Sequence, residues 1–384
     1  MTQRIFFFCL ILWMLISCHK EEIIIPSTDT DVIQGASTES IKGFFLLNEG
    51  NMGNNKSTLD YFDYETGTYI KNIYAERNPG VVKELGDVGN DLQIYGNKLY
   101  AVINCSHFVE VMDVETAKHI AQISIPNCRY LAFDKGYAYV SSYAGPVQID
   151  PNARLGYVAK VDTASLEVID TCTVGYQPEE MVISGNKLYV ANSGGYRVPN
   201  YDNTVSIIDL ETFTEVKKIK VAINLHRMEI DKNGYIYVSS RGDYYDVPSK
   251  TFIIDSRTDK LVGEIENLAN SEMTLCGDSL YVYSTEWSYH TNSWTITYAI
   301  YDTEKREIVT RNFITDGTEK EIEIPYGVAV NPETREFFVT DAKNYVTPGK
   351  LHCYSKDGVR KWSVTTGDIP AHFAFTKKRL KPIQ

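Results

Sequence analysis

The sequence lacks the short motifs that mark common catalytic sites. It contains no G-x-S-x-G nucleophile elbow, no H-E-x-x-H zinc motif and no glycine-rich loop suited to phosphate. Its seven histidines are scattered rather than paired at ligand spacing. We therefore expect a protein that is not an enzyme and holds no metal or cofactor. A site assembled from one residue of each structural repeat would escape this search, so an enzyme of that kind is kept as an alternative.

Positive charge is also scarce. The chain carries 38 lysines and arginines against 50 acidic residues, a formal net charge of −12. No dense basic run interrupts residues 42–376. Nucleic acid is thereby excluded as a partner, because phosphate binding needs a concentrated basic patch. Polybasic attraction to a membrane surface is excluded for the same reason.

Amphipathic helical patterns are missing, and a long repeat takes their place. A Tyr or Phe in an apolar run is followed by an Asp that opens a D-x-x-T-like turn, and these turn positions recur every 46 to 53 residues. They are Asp63, Asp113, Asp162, Asp209, Asp255, Asp302 and, in a degenerate copy, Ser355. A fixed period of this length is typical of propellers and solenoids. We interpret the Asp residues as turn formers that accept backbone N–H bonds, not as metal ligands.

Each repeat contains four short strands. In the fourth, Met181–Ser184, Lys187–Ala191, Thr204–Asp209 and Glu215–Val221 are rich in Val, Ile and Tyr and are separated by turn residues. Seven such units predict an all-β fold, a seven-bladed β-propeller of four-stranded antiparallel blades over residues 42–384. The first unit lacks its inner strand, and Ile369–Thr376 is left over after the seventh. We expect this C-terminal strand to complete blade one and close the ring, which removes exposed sheet edges.

The N-terminus carries a targeting signal. Residues 1–17 have one early Arg and an apolar stretch too short to span a bilayer. The segment Leu15-Ile16-Ser17-Cys18 resembles a bacterial lipobox, which implies that Cys18 is acylated and that residues 18–41 form a flexible tether. An ordinary signal peptide is the alternative. The acidic run after Cys18 resembles the surface-export signal of Bacteroidetes lipoproteins, so we expect a lipid-anchored protein on the outer face of the outer membrane.

Five cysteines remain once Cys9 and Cys18 are set aside. They show no CxxC or zinc spacing. Cys172, Cys276 and Cys353 lie in apolar strands and are expected to pack as small hydrophobes. Cys105 and Cys128 lie at the same face of neighbouring blades, so either a disulfide or two free thiols fits the sequence.

One face of the predicted propeller carries long loops between the second and third strands. These loops concentrate Tyr, Trp, Asn, Gly and Pro, whereas turns on the opposite face have two to four residues. They span residues 48–57, 141–156, 192–203, 241–250, 284–294 and 341–350. Long loops on a rigid scaffold are where function is usually carried. Aromatic planes with amide groups suit a large, partly flat ligand.

Several segments resemble a known family. FLLNEGNMGNNKSTLDYFD (45–63), LGDVGNDLQIYGNKLYAV (85–102), YGVAVNPETREFFVTDAKNYVTPGKLHCYSKDG (326–358) and GDIPAHFAF (367–375) resemble the YncE-like propellers of Bacteroidetes. The lipoprotein start and the loop set most resemble the BtuG surface lipoproteins. This resemblance implies capture of cobalamin (vitamin B12) and its transfer to a BtuB-type TonB-dependent outer-membrane transporter.

The candidate ligand-binding residues follow from that chemistry. Amide partners would be Asn48, Asn104, Asn192 and Asn344; aromatic covers would be Tyr143, Tyr196, Tyr245, Trp287 and Tyr326; phosphate partners would be Arg129, Arg197 and Arg241; the channel mouth would add His226, Asp341 and His372. For each position, a surface residue satisfied by water or by its own backbone is the alternative. Glycan binding on the same aromatic face is the competing function.

Overall fold

Seven antiparallel sheets follow one another along the chain. The structure, a computed structural model, describes residues 30–33, 38–80, 85–288 and 292–382. Helix is almost absent from these residues: it is confined to α1 (Ile73–Arg77) and a 3-10 turn at Thr318–Glu321. The predicted seven-bladed β-propeller is confirmed.

Blades one to four occupy the first part of the ring. Blade one contains β1 (Thr30–Val32), β2 (Gly43–Asn48), β3 (Thr58–Asp63), β4 (Thr68–Ile70) and the C-terminal strand β29 (Pro370–Thr376). Blade two contains β5 (Gly89–Tyr95), β6 (Lys98–Ile103), β7 (Phe108–Asp113) and β8 (His119–Ser124). Blade three contains β9 (Cys128–Asp134), β10 (Tyr137–Ser142), β11 (Tyr157–Asp162) and β12 (Val168–Thr173). Blade four contains β13 (Pro178–Ser184), β14 (Lys187–Asn192), β15 (Thr204–Asp209) and β16 (Thr214–Lys220).

Blades five to seven complete the ring. Blade five contains β17 (Leu225–Ile230), β18 (Tyr235–Ser240), β19 (Lys250–Asp255) and β20 (Lys260–Ile265). Blade six contains β21 (Glu272–Cys276), β22 (Ser279–Ser288), β23 (Ser293–Asp302) and β24 (Glu307–Thr310). Blade seven contains β25 (Pro325–Val330), β26 (Phe337–Asp341), β27 (Pro348–Tyr354) and β28 (Arg360–Asp368).

The C-terminal strand closes the ring, as predicted. It pairs with β2 from Gly43 opposite Thr376 to Leu47 opposite His372. Its inner position places β29 against β5 of blade two and β25 of blade seven. The seam between the first and last blades is filled by rings: the Phe44 centroid lies 4.9 Å from that of Phe338. Closure therefore combines main-chain pairing with buried aromatic contact.

The apolar core lies between neighbouring blades. One cluster joins Val102 and Val109 of blade two to Leu131 and Val140 of blade three, all of them buried. Corresponding clusters join each following pair of blades around the ring. Burying each such side chain contributes roughly 1.5–3 kcal/mol relative to exposure. This packing holds the blades rigidly and so fixes the relative positions of their loops.

The repeated Asp residues form turns, as predicted. The Asp162 Oδ1 atom accepts the N–H groups of Ala164 and Ser165, both at 2.8 Å. Hydrogen bonds from the Ser165 and Ala164 amides lower the pKa of Asp162. Within the described ranges, no group of three or more His, Cys, Asp or Glu side chains is arranged to hold a metal ion.

The prediction of a flexible tether over residues 18–41 is wrong for its second half. Residues 30–32 form β1, which pairs with β4 as a fifth strand on the outer edge of blade one. The carboxylate of Glu333 accepts the N–H groups of Glu39, Ser40 and Ile41, at 3.0 to 3.2 Å. The outer edge of β4 would otherwise expose unpaired N–H and C=O groups, and β1 forms hydrogen bonds with them. This pairing explains why residues 30–32 lie against blade one. The signal at residues 1–17 and Cys18 lie outside the described residues.

The predicted loop at residues 284–294 is also different in the structure. The strands of blade six continue outward as a hairpin in which Glu286 lies opposite Thr295 and Trp287 opposite Trp294. In the sequence SWTIT at residues 293–297, every residue after the serine is β-branched or aromatic, which favours a strand over a loop.

The five cysteines of the described residues are free thiols. Cys128 is buried and its Sγ donates to the carbonyl of Phe108 at 3.3 Å, whereas Cys105 is half-buried with its Sγ 3.5 Å from Asn104 Oδ1. The disulfide considered between them is therefore not formed. Cys172, Cys276 and Cys353 are buried among apolar residues, as predicted. Among the described segments, no helix has the length and apolar character needed to cross a membrane.

Candidate functional site

An open cleft of about 1020 Å³ lies on the loop face over blades four to seven. Its aromatic walls are supplied by every one of these blades. They comprise Tyr196 of blade four, Tyr244 and Tyr245 of blade five, Tyr283, Trp287 and Trp294 of blade six, and Tyr326 and Tyr345 of blade seven. The cleft therefore exists only because distant loops converge on one side of the ring.

The exposed aromatic side chains of the described structure are concentrated here. Tyr196, Tyr244, Tyr245 and Trp294 are 36 to 62% exposed, and all four line the cleft. The other large exposed hydrophobic side chains are aliphatic and lie scattered over the surface. Another cavity, of about 890 Å³ between blades five and six, has Tyr298 as its aromatic lining residue. Exposed aromatic area gathered in one concave place indicates a binding site.

Edge-to-face ring pairs hold these aromatics in position. The Trp287 and Trp294 rings pack at 5.2 Å across the blade six hairpin. Tyr326 and Tyr345 pack at 5.8 Å within blade seven. Each pair buries one face of its rings and is worth about 0.5–1.5 kcal/mol beyond burial. Rings held in this way lose little freedom when a ligand covers them.

Gly242 and Asp243 fix the conformation of the loop of blade five. Gly242 has φ 64°, and a Cβ there would lie 1.8 Å from the carbonyl oxygen of Val247. The Oδ1 atom of Asp243 accepts the N–H groups of Tyr245, Asp246 and Val247 at 2.8 to 2.9 Å. These bonds lower the pKa of Asp243. Tyr244 and Tyr245 consequently project from a fixed turn.

The loop of blade four is fixed by bonds to the strand before it. The Tyr196 N–H donates to Gln177 Oε1 at 2.7 Å, and its carbonyl accepts the Asp150 N–H at 2.8 Å. The ring packs edge-to-face on Tyr143 at 6.2 Å. Tyr196 is thus held between the loops of blades three and four.

A buried carboxylate, Glu179, organises the polar floor beside the cleft. It accepts two N–H bonds from Arg129, at 3.0 and 3.1 Å, and the hydroxyl of Tyr143. Arg241, which lines the cleft, lies 3.5 Å away. Burial alone would raise the pKa of Glu179, but the charges of Arg129 and Arg241 outweigh it and lower that pKa. Glu179 therefore stays ionised although it is fully buried.

Arg227 joins the cleft to the central channel. Its guanidinium lies 2.5 Å from Glu272 and 3.6 Å from Glu180. Arg227 and Glu272 line both the cleft and a channel cavity of about 380 Å³ between the inner strands. Burial raises the pKa of Glu180 well above its usual range, against the charge of Arg227. Arg227 thus interacts with two carboxylates, and Glu272 is the closer of the two.

Glu49 connects two predicted site residues that are distant in sequence. Its carboxylate accepts the hydroxyl of Tyr326 at 2.8 Å and contacts His372 Nε2 at 3.1 Å. Burial and the nearby Glu49 charge raise the pKa of Tyr326, so its hydroxyl remains a donor. His372 belongs to the channel lining and Tyr326 to the cleft.

Six of the fifteen predicted ligand residues line the cleft: Tyr196, His226, Arg241, Tyr245, Trp287 and Tyr326. Arg129 and Tyr143 lie just below, bonded to Glu179. Arg197 lies outside the lining; its guanidinium stacks 3.5 Å above the Tyr176 ring and donates to the carbonyl of Asn200.

Three of the four predicted amide partners are bonded within the propeller. Asn48, Asn104 and Asn192 are almost completely buried. The Asn192 amide donates to Thr204 and Ser206 at 3.1 and 2.8 Å, and the Asn104 amide donates to the carbonyl of Cys128 at 2.8 Å. Each of these three amides lies at the end of a second strand and donates to a neighbouring strand or blade. These residues stabilise the propeller and are not accessible to a ligand.

Asp341 and Asn344 are turn residues of blade seven. Asp341 Oδ1 accepts the N–H groups of Ile324 and Lys343, at 3.0 and 2.9 Å. Asn344 Oδ1 accepts the N–H groups of Val346 and Thr347 at 3.0 and 2.9 Å. Both were predicted to contact ligand, but their acceptor atoms are engaged in shaping the loop that carries Tyr345.

Sequence reasoning missed several cleft residues. Tyr244, Trp294 and Tyr345 lie in the loops that had been recognised, so aromatic content alone would have included them. Glu49 and Glu272 were harder to find, since their partners come from other blades. The recurrence of acidic residues near the start of inner strands was the available signal.

The sequence profile of the family described as "Domain of unknown function (DUF5074)" matches residues 42–375. The chain belongs to this family. The matched range runs from the residue before β2 to the penultimate residue of β29, so it covers all seven blades but not the edge strand β1. No curated protein matches the sequence significantly.

Solved structures resemble the DUF5074 propeller at low identity. A hypothetical selenium-binding protein from Sulfolobus tokodaii aligns with a TM-score of 0.60 and 11% identity, over 89% of this chain and 95% of its own. A quinonprotein alcohol dehydrogenase-like protein from Bacteroides thetaiotaomicron gives 0.56 and 17%, over 88% and 79%. Dihydro-heme d1 dehydrogenase NirN, in complex with DHE, gives 0.54 and 12%, over 89% and 77%. Identities this low establish the shared fold alone.

Proposed function

We propose that this DUF5074 propeller captures a large, partly flat ligand in the aromatic cleft and releases it unchanged. The observation that carries the proposal is the convergence of the exposed aromatic side chains Tyr196, Tyr244, Tyr245 and Trp294 on one cleft of about 1020 Å³. This volume is at the upper end of the range for small-molecule pockets, so it suits a ligand larger than a typical metabolite.

The ligand that we propose is a corrinoid, cobalamin, as the resemblance to BtuG-type lipoproteins implies. Its corrin ring would lie against the aromatic walls. Its fringe of amides would meet hydroxyls and carboxylates such as those of Ser271, Thr285 and Glu286, which line the cleft. The buried asparagines cannot serve this purpose, so recognition of the amides depends on these side chains instead.

Anchoring and delivery complete the proposal. Acylation of Cys18 would attach the protein to the outer membrane with the propeller outside the cell. A BtuB-type TonB-dependent transporter would then receive the ligand. Both statements rest on the resemblance and on the lipobox, which lies in the part of the chain before residue 30.

Binding without chemistry is supported by the ion pairs of two carboxylates beside the cleft. Glu179 is held by Arg129 at 3.0 Å and Glu272 by Arg227 at 2.5 Å. A catalytic acid or base needs an accessible group within reach of the substrate. These two carboxylates are instead neutralised within the protein, which favours a binding protein over an enzyme.

Glycan binding is the second candidate, because exposed aromatic platforms lie beside carboxylates. Trp287 and Trp294 project from the same hairpin as Glu286, and Asp246 follows Tyr245 on the adjacent rim. Sugar-binding sites combine ring stacking with carboxylate hydrogen bonds in this way. The two candidates share the cleft and differ in the ligand that saturates it.

Isothermal titration with cyanocobalamin tests the proposal. We expect saturable binding at one site and corrinoid absorbance that stays with the protein during gel filtration. Trp287→Ala should weaken binding by about 2 kcal/mol, roughly thirtyfold in Kd, if it behaves as an interface hot spot. Tyr137→Ala is the matched control. This half-buried tyrosine lies at the start of β10, on the face of the propeller opposite the cleft.

The outcome separates the two candidates. Absence of both heat and co-migrating colour would refute the corrinoid proposal. If an oligosaccharide series then gave saturable heats that Trp287→Ala abolished and Tyr137→Ala left intact, the glycan function would take its place.

A further inference from the structure

His226, on the inner strand of blade five, has one ring nitrogen with a partner and one without. Its Nε2 lies 3.0 Å from the hydroxyl of Tyr130. Its Nδ1 is buried and makes no hydrogen bond to the residues described. His226 lines the cleft, although only 6% of the residue is exposed. A buried polar atom of this kind normally has an acceptor or donor opposite it.

The Tyr130 hydroxyl fixes which nitrogen carries the proton. Burial raises the pKa of Tyr130 far above its usual value, so the hydroxyl keeps its hydrogen. His226 Nε2 is its one acceptor within the described part of the chain. Burial and the charges of Arg241 and Arg227 lower the pKa of His226, so the ring is neutral. Because Nε2 accepts, the single ring proton is on Nδ1, which is therefore an unused donor.

Arg241 adds a positive charge that lacks a carboxylate of its own. The nearest, Glu179, is 3.5 Å away and already accepts two bonds from Arg129. Two guanidinium groups thus face one carboxylate. Glu272 is engaged by Arg227, and Glu286 accepts the N–H of Ser249 at 3.0 Å. The cluster around Glu179 therefore carries one more positive than negative charge, and its Arg241 lines the same cleft as the unused N–H donor of His226.

We propose that Arg241 and His226 form an oxyanion subsite at the floor of the cleft, which takes a phosphate or carboxylate group. A guanidinium supplies charge-assisted hydrogen bonds, and the neutral Nδ1–H adds a donor of fixed direction. If the corrinoid of the proposed function occupies the cleft, its tail phosphodiester is the group that binds. That identification rests on the proposed function, whereas the subsite itself rests on the two side chains.

Inorganic phosphate is the probe for the subsite. The propeller is labelled with 15N-histidine and titrated with phosphate against chloride at constant ionic strength, and the imidazole resonances of His226 are followed. We expect a saturable shift in the wild type and at least a tenfold weaker affinity in Arg241→Gln. Arg197→Gln is the matched control, because this arginine of the same face stacks on Tyr176 outside the cleft lining. It should bind phosphate as the wild type does.

The proposal is overturned if His226 shows no saturable shift, or if Arg241→Gln binds phosphate as tightly as Arg197→Gln. Melting midpoints of the two variants, measured without phosphate, confirm that both are folded. Should Arg241→Gln fail to fold, Arg241→Lys is the second variant. It keeps the charge but removes the planar set of guanidinium N–H donors, and it is expected to bind phosphate with intermediate affinity. Wild-type affinity in that variant would count against the guanidinium.

Tyr130 acts as a positioning residue, and Tyr130→Phe tests it separately. Loss of the hydroxyl leaves Nε2 without its donor, so the ring proton should populate Nε2. This change of tautomer is visible in the imidazole 15N shifts, and phosphate affinity should fall although Arg241 is intact. An unchanged tautomer together with unchanged phosphate affinity would refute the assigned role of Nδ1–H.

A pair of corrinoids identifies the source of the anion. Cobinamide and cobinamide phosphate share the corrin ring and differ in the phosphate. Tighter binding of the phosphate form in the wild type, lost in Arg241→Gln, would support the subsite and the corrinoid function together. If neither corrinoid binds while inorganic phosphate still shifts His226, the corrinoid function fails and the subsite stands as a site for another oxyanion.

Discussion

Replacing Glu179 by Gln should destabilise the propeller more than any surface substitution. The carboxylate is completely buried and accepts bonds from Arg129 and the Tyr143 hydroxyl, with Arg241 at 3.5 Å. Gln keeps the volume but removes the negative charge. Arg129, whose side chain is 12% exposed, would then carry an uncompensated charge in the interior. Removing one partner of a buried ion pair typically costs about 3–5 kcal/mol.

Two matched variants isolate the cause of this loss. Glu264→Gln removes a carboxylate from a pair whose two side chains are each 41% exposed, with Lys250 at 2.9 Å. Exposed pairs contribute about 0–1 kcal/mol, so this control should be nearly neutral. Combining Arg129→Met with Glu179→Gln removes both charges. The double variant should recover much of the stability, because the penalty of Glu179→Gln is the unpaired arginine rather than the lost bond.

Urea unfolding measures the effect through the midpoint at unchanged slope. The pH dependence gives an independent check. Since the folded state lowers the pKa of Glu179, its contribution is fully present above the unfolded value near 4.5 and is lost as pH falls through the folded pKa. The difference between wild type and Glu179→Gln should therefore shrink in acid. A loss below about 1 kcal/mol at pH 7, or a double variant no better than the single one, would refute this reasoning.

Two further predictions concern stability. Burial raises the pKa of Glu229 from 4.5 to about 7, so folding stability should fall as pH rises from about 4.5 to about 7. By urea unfolding, Glu229→Gln should be about 3 kcal/mol more stable than wild type at pH 8 and equal to it at pH 4, and a pH-independent difference would contradict this. Truncation after Asp368 should leave the inner edge of β2 unpaired and cause aggregation or loss of cooperative melting, measured by light scattering and calorimetry, whereas truncation after Lys381 should have no effect.

The fold could be predicted from the sequence because the contacts that define each blade are formed by residues close together along the chain. The Asp turn, the two-residue turns and the alternation of apolar side chains are set within about 50 residues, and the period counts the blades. The closing strand was visible as a surplus element. Residues 30–32 and the blade six hairpin were missed because each depends on an available neighbour: β4 for the first, and continued cross-strand pairing for the second.

The candidate site was predicted only in part. Loop composition identified the correct face and aromatics such as Tyr245 and Trp287. It also suggested Asn48, Asn104 and Asn192, which the structure buries. An asparagine at a strand end has the same sequence signature whether it faces solvent or bonds to the next strand. Burial decides between these roles, and burial is a property of the assembled ring.

By itself, the sequence determined the architecture of this protein: strands, turns, the number of blades and the face that carries long loops. These features follow from short-range patterns that repeat, so they can be read without knowing which blades become neighbours. Only the tertiary structure decided which charges meet. Glu179 joins Arg129 to Arg241, and Tyr130 sets the proton of His226, because ring closure brings residues 50 to 96 positions apart within bonding distance.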